Sequence, residues 1–301
     1  MTWGTWEYLV KQPKDWDVSS RSSLEREAFF YRNAAQTSKP WADFLPQCFA
    51  YDPLSSILVI EFLPGHKDLG RLPDRFSPGL AALCGKMLGT FHRDLKKSGL
   101  NSDFPRTEPW CLSFHEMTED PENPGKARSE LLRVVRGHAE FGRALDWLRS
   151  EWRVDTLIHG DCKLENCLLS ADRSRLRLVD WEVVSWGDSI WDVSGIMQSY
   201  WNFWIRNPLE FPVESIRPAL GAFLAAYAEA RGLQLGPLSA RAIRFAGARM
   251  LQTGFESLKE ADEMTGEAAR LLQGSLNILA RPEWAAEQIL GTALTPASAH
   301  A

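Results

Sequence analysis

The chain lacks any run of about 18 apolar residues, so it offers no transmembrane helix. It lacks a signal peptide: MTWGTWEYLV has neither the charged head nor the apolar body of one. It lacks paired cysteines. Cys48, Cys84, Cys111, Cys162 and Cys167 are odd in number and form no C-x-x-C pair. That argues against a disulfide framework or a zinc site and points to a reducing cytoplasm. It lacks a charge excess. A formal net charge of −5 over 301 residues gives no electrostatic case for nucleic acid or a membrane surface as partner. It has no internal repeat, and Gly4 is the only glycine before Lys11.

What is present is an ordinary soluble composition, 45% hydrophobic and 24% charged, able to bury a real core. The length allows one large domain or two lobes. Tryptophan is abundant, 13 in all, with Trp181, Trp186, Trp191, Trp201 and Trp204 close together. Core and inter-helix packing is the first reading of that cluster. A cation–π cage for a positively charged ligand is the second.

Residues 5–11 are aromatic and β-branched and predict a strand. Ser22-Ser23-Leu24-Glu25-Arg26-Glu27 predicts a helix start, with serine at the cap and acids in the first turn, running to Ala35. Residues 46–51 and 56–62 predict two strands across the turn Asp52-Pro53-Leu54-Ser55, the second ended by Leu63-Pro64-Gly65. Residues 77–97 carry helical apolar spacing at Leu80, Leu83, Met87, Leu88, Phe91 and Leu95. Residues 99–125 hold Pro105, Pro109, Pro121 and Pro124 and the acidic Glu119, Asp120 and Glu122, and read as a long loop or insertion. Helices are expected over 127–152, 189–206, 214–232, 238–260 and 265–280. Strands are expected at 156–159, 167–169 and 176–179. The final TPASAHA reads as a frayed tail.

The densest chemistry lies in His159-Gly160-Asp161-Cys162-Lys163-Leu164-Glu165-Asn166, followed by Val179-Asp180-Trp181-Glu182. An Asp is followed five residues later by an Asn, and fourteen residues beyond that by a second Asp. Phosphoryl transfer uses such a trio. One carboxylate takes the proton of the attacking hydroxyl. An amide oxygen and a second carboxylate hold the Mg²⁺ that bridges the nucleotide phosphates.

These segments continue into Gly187-Asp188-Ser189-Ile190-Trp191-Asp192-Val193. Together they resemble the catalytic loop, metal-binding strand end and G-D-x-x-x-D helix start of the aminoglycoside phosphotransferase and choline kinase family. The resemblance spans 5–260 and is densest at 155–195. It implies an α+β, two-lobed, protein-kinase-like fold. A small, truncated nucleotide-binding N-lobe would cover 1–65, and a large, mainly helical C-lobe 66–301. The catalytic loop would lie at 159–166 and the metal-binding segment at 178–182. It implies ATP and Mg²⁺ as cofactors.

Carried over residue by residue, Asp161 is the base, Asn166 and Asp180 are Mg²⁺ ligands, and His159 braces the loop. Asp188 and Asp192 read as structural supports at a helix start, with Asp192 bracing the catalytic loop. Glu182 is either structural or faces a cationic substrate. Lys163 stands where Ser/Thr protein kinases carry D-L-K-x-x-N, and a cation there offsets charge on the transferred phosphoryl group. It tilts the acceptor toward a serine- or threonine-like hydroxyl. Lys11 and Glu27 fit the strand-lysine and helix-glutamate pair that holds nucleotide phosphates, with Lys14 and Glu25 as competitors. Glu61-Phe62-Leu63 takes the hinge position by order in the chain, which assigns Glu61 and Leu63 to cofactor binding.

Kinases of this type place two strands and a glycine-rich turn before the lysine strand, and ten residues cannot hold them. The phosphate lid is therefore missing, supplied by a partner protein, or encoded upstream. The 5–11 strand is left with an open edge suited to strand addition. Three functions compete. The first is an O-phosphotransferase for a small-molecule hydroxyl, such as an aminoglycoside or amino alcohol. The second is a Ser/Thr kinase for a natural-product precursor peptide, completed by a partner protein. The third is a pseudokinase scaffold, which the intact Asp161, Asn166 and Asp180 oppose.

Overall fold

The structure is a computed structural model that describes residues 7–36, 39–96, 104–117, 126–206, 209–210 and 212–291. It opens with β1 (Tyr8–Lys11), helix α1 (Val18–Ala35), β2 (Cys48–Asp52) and β3 (Ile57–Glu61). β3 lies in the middle of this antiparallel sheet, in the order β1-β3-β2, with Lys11 opposite Leu58 and Tyr8 opposite Glu61. The turn Asp52–Ser55 is fixed by the Asp52 carboxylate, which accepts the N–H of Leu54 at 3.0 Å. The expectation that no glycine-rich hairpin precedes β1 concerns residues 1–6, outside the described residues.

α1 begins earlier than the serine pair predicts. Asp17 is its N-cap and accepts the N–H of Ser20 at 2.8 Å, while Ser22 and Ser23 lie inside the helix. Aspartate in an extended conformation satisfies a free donor of the first turn, which is why the start falls there. Leu24, Glu27, Ala28, Tyr31 and Ala34 share the buried face of α1 at helical spacing.

The remainder is helical around two further small antiparallel sheets. β4 (Lys67–Asp68) pairs with β6 (Cys167–Leu169), which pairs with β7 (Leu176–Leu178). β5 (Thr156–Ile158) pairs with β8 (Ser185–Gly187). The helices are α2 (Pro78–Leu95), α3 (Lys126–Gly137), α4 (Ala139–Ser150), α5 (Ser189–Arg206), α6 (Val213–Arg231), α7 (Leu235–Glu256), α8 (Gly266–Ala280) and α9 (Pro282–Leu290). α5 is buried at nearly every position from Ser189 to Trp201 and forms the axis of the core.

Two expectations need correction. The helix predicted over 127–152 is two helices, because Gly137 and an extended His138 (φ −110, ψ 106) break it. β4, β8 and α9 carried no predicted element, although α9 has proline in its first turn and glycine just past its end. Where it is described, the 99–125 segment is a loop with one 3-10 turn, as expected of a long loop or insertion, but it is packed into the core, which the sequence did not indicate. Cys111, Leu112 and Phe114 are fully buried, and Arg106 bridges to Trp186 in parallel. Its acidic run at 119–122, and the final TPASAHA, lie outside the described residues. Among the described residues no helix is long and apolar enough to cross a membrane.

α2 and α6 pack along their lengths because small residues let the backbones approach. A Cβ on Gly85 would fall inside contact distance of the Phe223 carbonyl oxygen. Gly85→Ala is therefore expected to destabilise the protein by about 1–3 kcal/mol through overpacking, read by chemical denaturation. An unchanged midpoint would show that the two helices can separate freely.

Candidate active site

The chain leaves β5 at Ile158 and turns sharply through His159-Gly160-Asp161. Gly160 has φ +84, and a Cβ there would meet the Val183 carbonyl oxygen at 2.9 Å, so both the backbone angle and the space require glycine. The turn is tied down by Asp192, in the first turn of α5. Its carboxylate accepts the N–H of His159 at 2.6 Å, the N–H of Gly160 at 2.9 Å and the Nε2–H of His92 at 3.1 Å. His159 donates Nε2–H to the Val179 carbonyl at 2.9 Å and accepts the N–H of Asp161 on Nδ1 at 3.2 Å. These two bonds assign its tautomer and link the loop to the β7 strand end.

A short 3-10 turn over Leu164–Asn166 leads into β6, and the β6–β7 hairpin returns to Val179-Asp180. Asn166 accepts the N–H of Val179 on its backbone carbonyl at 3.0 Å and donates its side-chain amide to the Asp161 carbonyl at 3.0 Å. Its side-chain oxygen is thereby the atom left for a ligand. Asp180 is held at φ +72, unusual for a non-glycine residue, with its N–H on the Tyr31 hydroxyl at 3.3 Å.

Lys11 reaches across from β1. Its Nζ lies 2.6 Å from Glu27 and 2.7 Å from Asp180. Burial weakens its charge, but the two carboxylates outweigh burial and raise its pKa. The competitors Lys14 and Glu25 are both exposed. A cavity of about 510 Å³ is lined by Lys11, Glu27, Glu61, Leu63, Asn166 and Asp180. Glu61 also accepts the N–H of Gln47 at 3.1 Å, so part of its work is to hold the end of β3.

A second cavity of about 460 Å³ is lined by Asp161, Lys163, Glu182, Trp191, Arg249 and Glu256 among others. Asp161 is gripped by two cations. Lys163 lies 2.5 Å from Oδ2 and Arg249 3.3 Å from Oδ1. Burial opposes ionisation of Asp161, but Arg249 and Lys163 outweigh it and hold its pKa below the usual carboxylate value. Glu182 shifts the other way, raised by burial and by the neighbouring Asp180.

Asn166 and Asp180 are hard oxygen donors facing one cavity, a donor set that suits Mg²⁺ completed by phosphate oxygens and water. Asp188 stands apart from both cavities. It accepts the N–H groups of Ile190 (3.1 Å) and Arg153 (2.9 Å) and pairs with Arg241 at 2.6 Å. The Trp cluster is chiefly packing. Trp181 and Trp201 are buried, and Trp181 stacks on Phe30 at 4.1 Å while Trp191 alone of the five lines the second cavity.

Several site residues carried no motif: His92, Tyr31, Trp110, Trp152, Gln252, Glu256 and Arg249. For Arg249 a signal existed. It stands inside the apolar helical run Ala246-Gly247-Ala248-Arg249-Met250-Leu251, where a charge must find a buried partner.

Asp192→Ala should cost about 3–5 kcal/mol of stability, because three donors lose a buried carboxylate. Burial opposes the charge of Asp192, but its hydrogen bond from His92 and the nearby histidines prevail and lower its pKa below the ordinary 3.8. The folded form therefore binds fewer protons than the unfolded form. The stabilisation is complete above pH 3.8 and is lost as pH falls through the depressed folded-state value. Urea denaturation of wild type and variant across that range tests both points, and a variant as stable as wild type would refute them.

Known proteins share this architecture. The ethanolamine kinase of Plasmodium vivax superposes with a TM-score of 0.60 at 14% identity, over 92% of this chain and 77% of its own. The choline kinase LicA of Streptococcus pneumoniae gives 0.54 at 15% identity, over 92% and 87%. LicA in complex with AMP gives 0.50 at 16% identity, over 91% and 84%. At such identities the likeness is one of fold, the protein-kinase-like α+β fold that the motifs imply. No curated protein matches the sequence. The sequence model of the phosphotransferase enzyme family, APH, matches residues 1–243, and the chain belongs to that family.

Proposed function

We propose that the chain is an ATP- and Mg²⁺-dependent O-phosphotransferase whose acceptor is a small cationic molecule with a free hydroxyl, of the amino alcohol or aminoglycoside kind. The observation that carries this reading is a pair of cavities that both take lining residues from the 159–166 loop. Lys11, Glu27, Asn166 and Asp180 face one, and Asp161 and Lys163 face the other.

On this reading Glu27 holds Lys11 toward the nucleotide phosphates, and Glu61 and Leu63 border the base. Asn166 and Asp180 hold Mg²⁺, which neutralises charge on the phosphates. Asp161 orients the acceptor hydroxyl and takes its proton as the new O–P bond forms and the terminal phosphoanhydride bond breaks, releasing ADP. Lys163 leaves Asp161 for the transferred group and offsets its charge. His159, Asp188 and Asp192 keep this geometry without touching substrate. The nucleotide lobe is proposed to end at 65, since β4 at Lys67–Asp68 already pairs with the catalytic hairpin.

The second cavity supports this acceptor class. Glu182 and Glu256 form no ion pair among the described residues and line that cavity with Trp110 and Trp152, beside the cations Arg26, Lys163 and Arg249, of which the last two are paired with Asp161. Carboxylates and indoles together suit an ammonium group. The structural neighbours include choline and ethanolamine kinases, whose acceptors carry that group beside a hydroxyl. The peptide reading retains one supporting observation, the Lys163–Asp161 pair.

The test is ADP release with ATP, Mg²⁺ and a panel of amino alcohols, aminoglycosides and hydroxyl-bearing peptides. Asp161→Asn should lower kcat roughly 10²- to 10⁴-fold while leaving the fold intact by circular dichroism. Glu182→Gln should raise the KM of a cationic acceptor about tenfold and leave that of the nucleotide unchanged. Turnover of peptides alone would replace the small-molecule reading. Equal inertness of wild type and Asp161→Asn on the whole panel would end the kinase reading.

A further inference from the structure

Arg249 is the least expected group in the site. It sits on α7, far in sequence from the catalytic loop, and is only 5% exposed. Its guanidinium is held on three sides. Nη2 lies 3.3 Å from Asp161 Oδ1, Nη1 donates to the Gly160 carbonyl at 3.4 Å, and the group lies over the Trp191 ring at 4.8 Å from the centroid. The same Gly160 carbonyl accepts the Trp191 indole N–H at 3.0 Å. Nε has no hydrogen-bond partner, so the group gives up part of its hydration to stay where it is.

The two cations on Asp161 differ in kind. Lys163 holds Oδ2 with a side chain that is 39% exposed. Arg249 holds Oδ1 from the protein side with a planar group already clamped by an indole and a carbonyl. A clamped guanidinium loses little further freedom on binding a carboxylate, while a lysine on a flexible stem can leave.

We infer that Arg249 is a positioning residue for Asp161: it fixes Oδ1 so that Oδ2 faces the acceptor hydroxyl once Lys163 moves to the transferred phosphoryl group. The inference rests on the kinase reading for its catalytic consequence, but the coupling between Arg249 and Asp161 stands independently of it. Arg249 does not touch the reacting atoms, and its effect passes through the carboxylate. The rest of its helix face continues the wall. Gln252 and Glu256 line the same cavity and are themselves joined by a hydrogen bond of 2.7 Å.

Two measurements test it. In steady-state ADP release with the best acceptor, Arg249→Met should lower kcat roughly a hundredfold with little change in the nucleotide KM, since a displaced base costs turnover rather than nucleotide binding. Arg249→Lys, which keeps charge without the fork, should recover part of that loss. An unchanged kcat, or a loss confined to KM, overturns the inference. The second measurement is a thermal double-mutant cycle on the full chain. Arg249→Met should lower Tm more in the wild-type background than in the Asp161→Asn background, where no carboxylate is left to hold. Equal losses in the two backgrounds overturn the coupling. Should wild type turn over no acceptor, the kinase reading fails, and the thermal cycle alone decides the role of Arg249. Should Arg249→Met not fold, Arg249→Lys carries both measurements.

Discussion

A fully buried carboxylate organises this site. Asp192 lies at the start of the core helix α5 with no exposure to water, and it collects two backbone N–H groups and one imidazole. A charge in such a place persists only if its surroundings are arranged around it. The arrangement is the 159–166 loop itself: His159 and Gly160 are the donors, and Asp161 follows directly. The rigidity of α5 is thereby passed to the candidate base. That imidazole, His92, brings α2 into the same network, and its other nitrogen bonds the Tyr227 hydroxyl of α6 at 2.8 Å. Three helices therefore converge on one turn.

Around that turn, charges alternate in two short chains. Glu27, Lys11 and Asp180 form one, and Lys163, Asp161 and Arg249 the other. Each chain has a buried member and a half-exposed end. Glu27 and Arg249 are the buried ones. Buried charges of fixed orientation set direction, while half-exposed groups such as Lys163 and Asp180 can exchange partners when ligands arrive. Preorganised electrostatics of this kind need no rearrangement of the buried groups during reaction.

The parts legible in the sequence are those in which chemistry and backbone geometry occupy the same few residues. Gly160 must be glycine for its φ, Asp161 and Asn166 share one short turn, and Asp180 ends the next strand. Such spacing survives without knowledge of the tertiary structure. Lys11 and Glu27 were legible for a similar reason, since a strand and the following helix bring them together locally. Asp188 and Asp192 were recognisable as acids at a helix start, but their partners were not, because Arg241 and His92 come from distant helices. The helix start at Asp17 and the break at His138 were missed for local reasons. Serine competes poorly with a preceding aspartate in extended conformation, and one glycine in a helical run does not announce whether the chain turns there.

The cavity beside Asp161 belongs to the illegible part, and the reason lies in its construction. Its wall takes Arg26 from α1, Trp110 from the 104–117 segment, Trp152 from just past α4, Glu182 from the 178–182 segment, and Arg249, Gln252 and Glu256 from α7. No two of these contributors form a motif, so only the folded chain shows what they surround. The consequence is a division between the two cavities. The cavity beside Lys11 takes Asn166, Leu168, Val179 and Asp180 from the hairpin and its flanks, where the backbone is constrained. The cavity beside Asp161 draws on a helix face where positions 249, 252 and 256 recur about once per turn. Only the first of those three touches Asp161, while the other two face the cavity and are free of the catalytic loop. A change at Gln252 or Glu256 can therefore reshape that cavity without disturbing the Asp161 carboxylate. That separation lets the cavity wall vary while the loop that carries Asp161 stays fixed within a single fold.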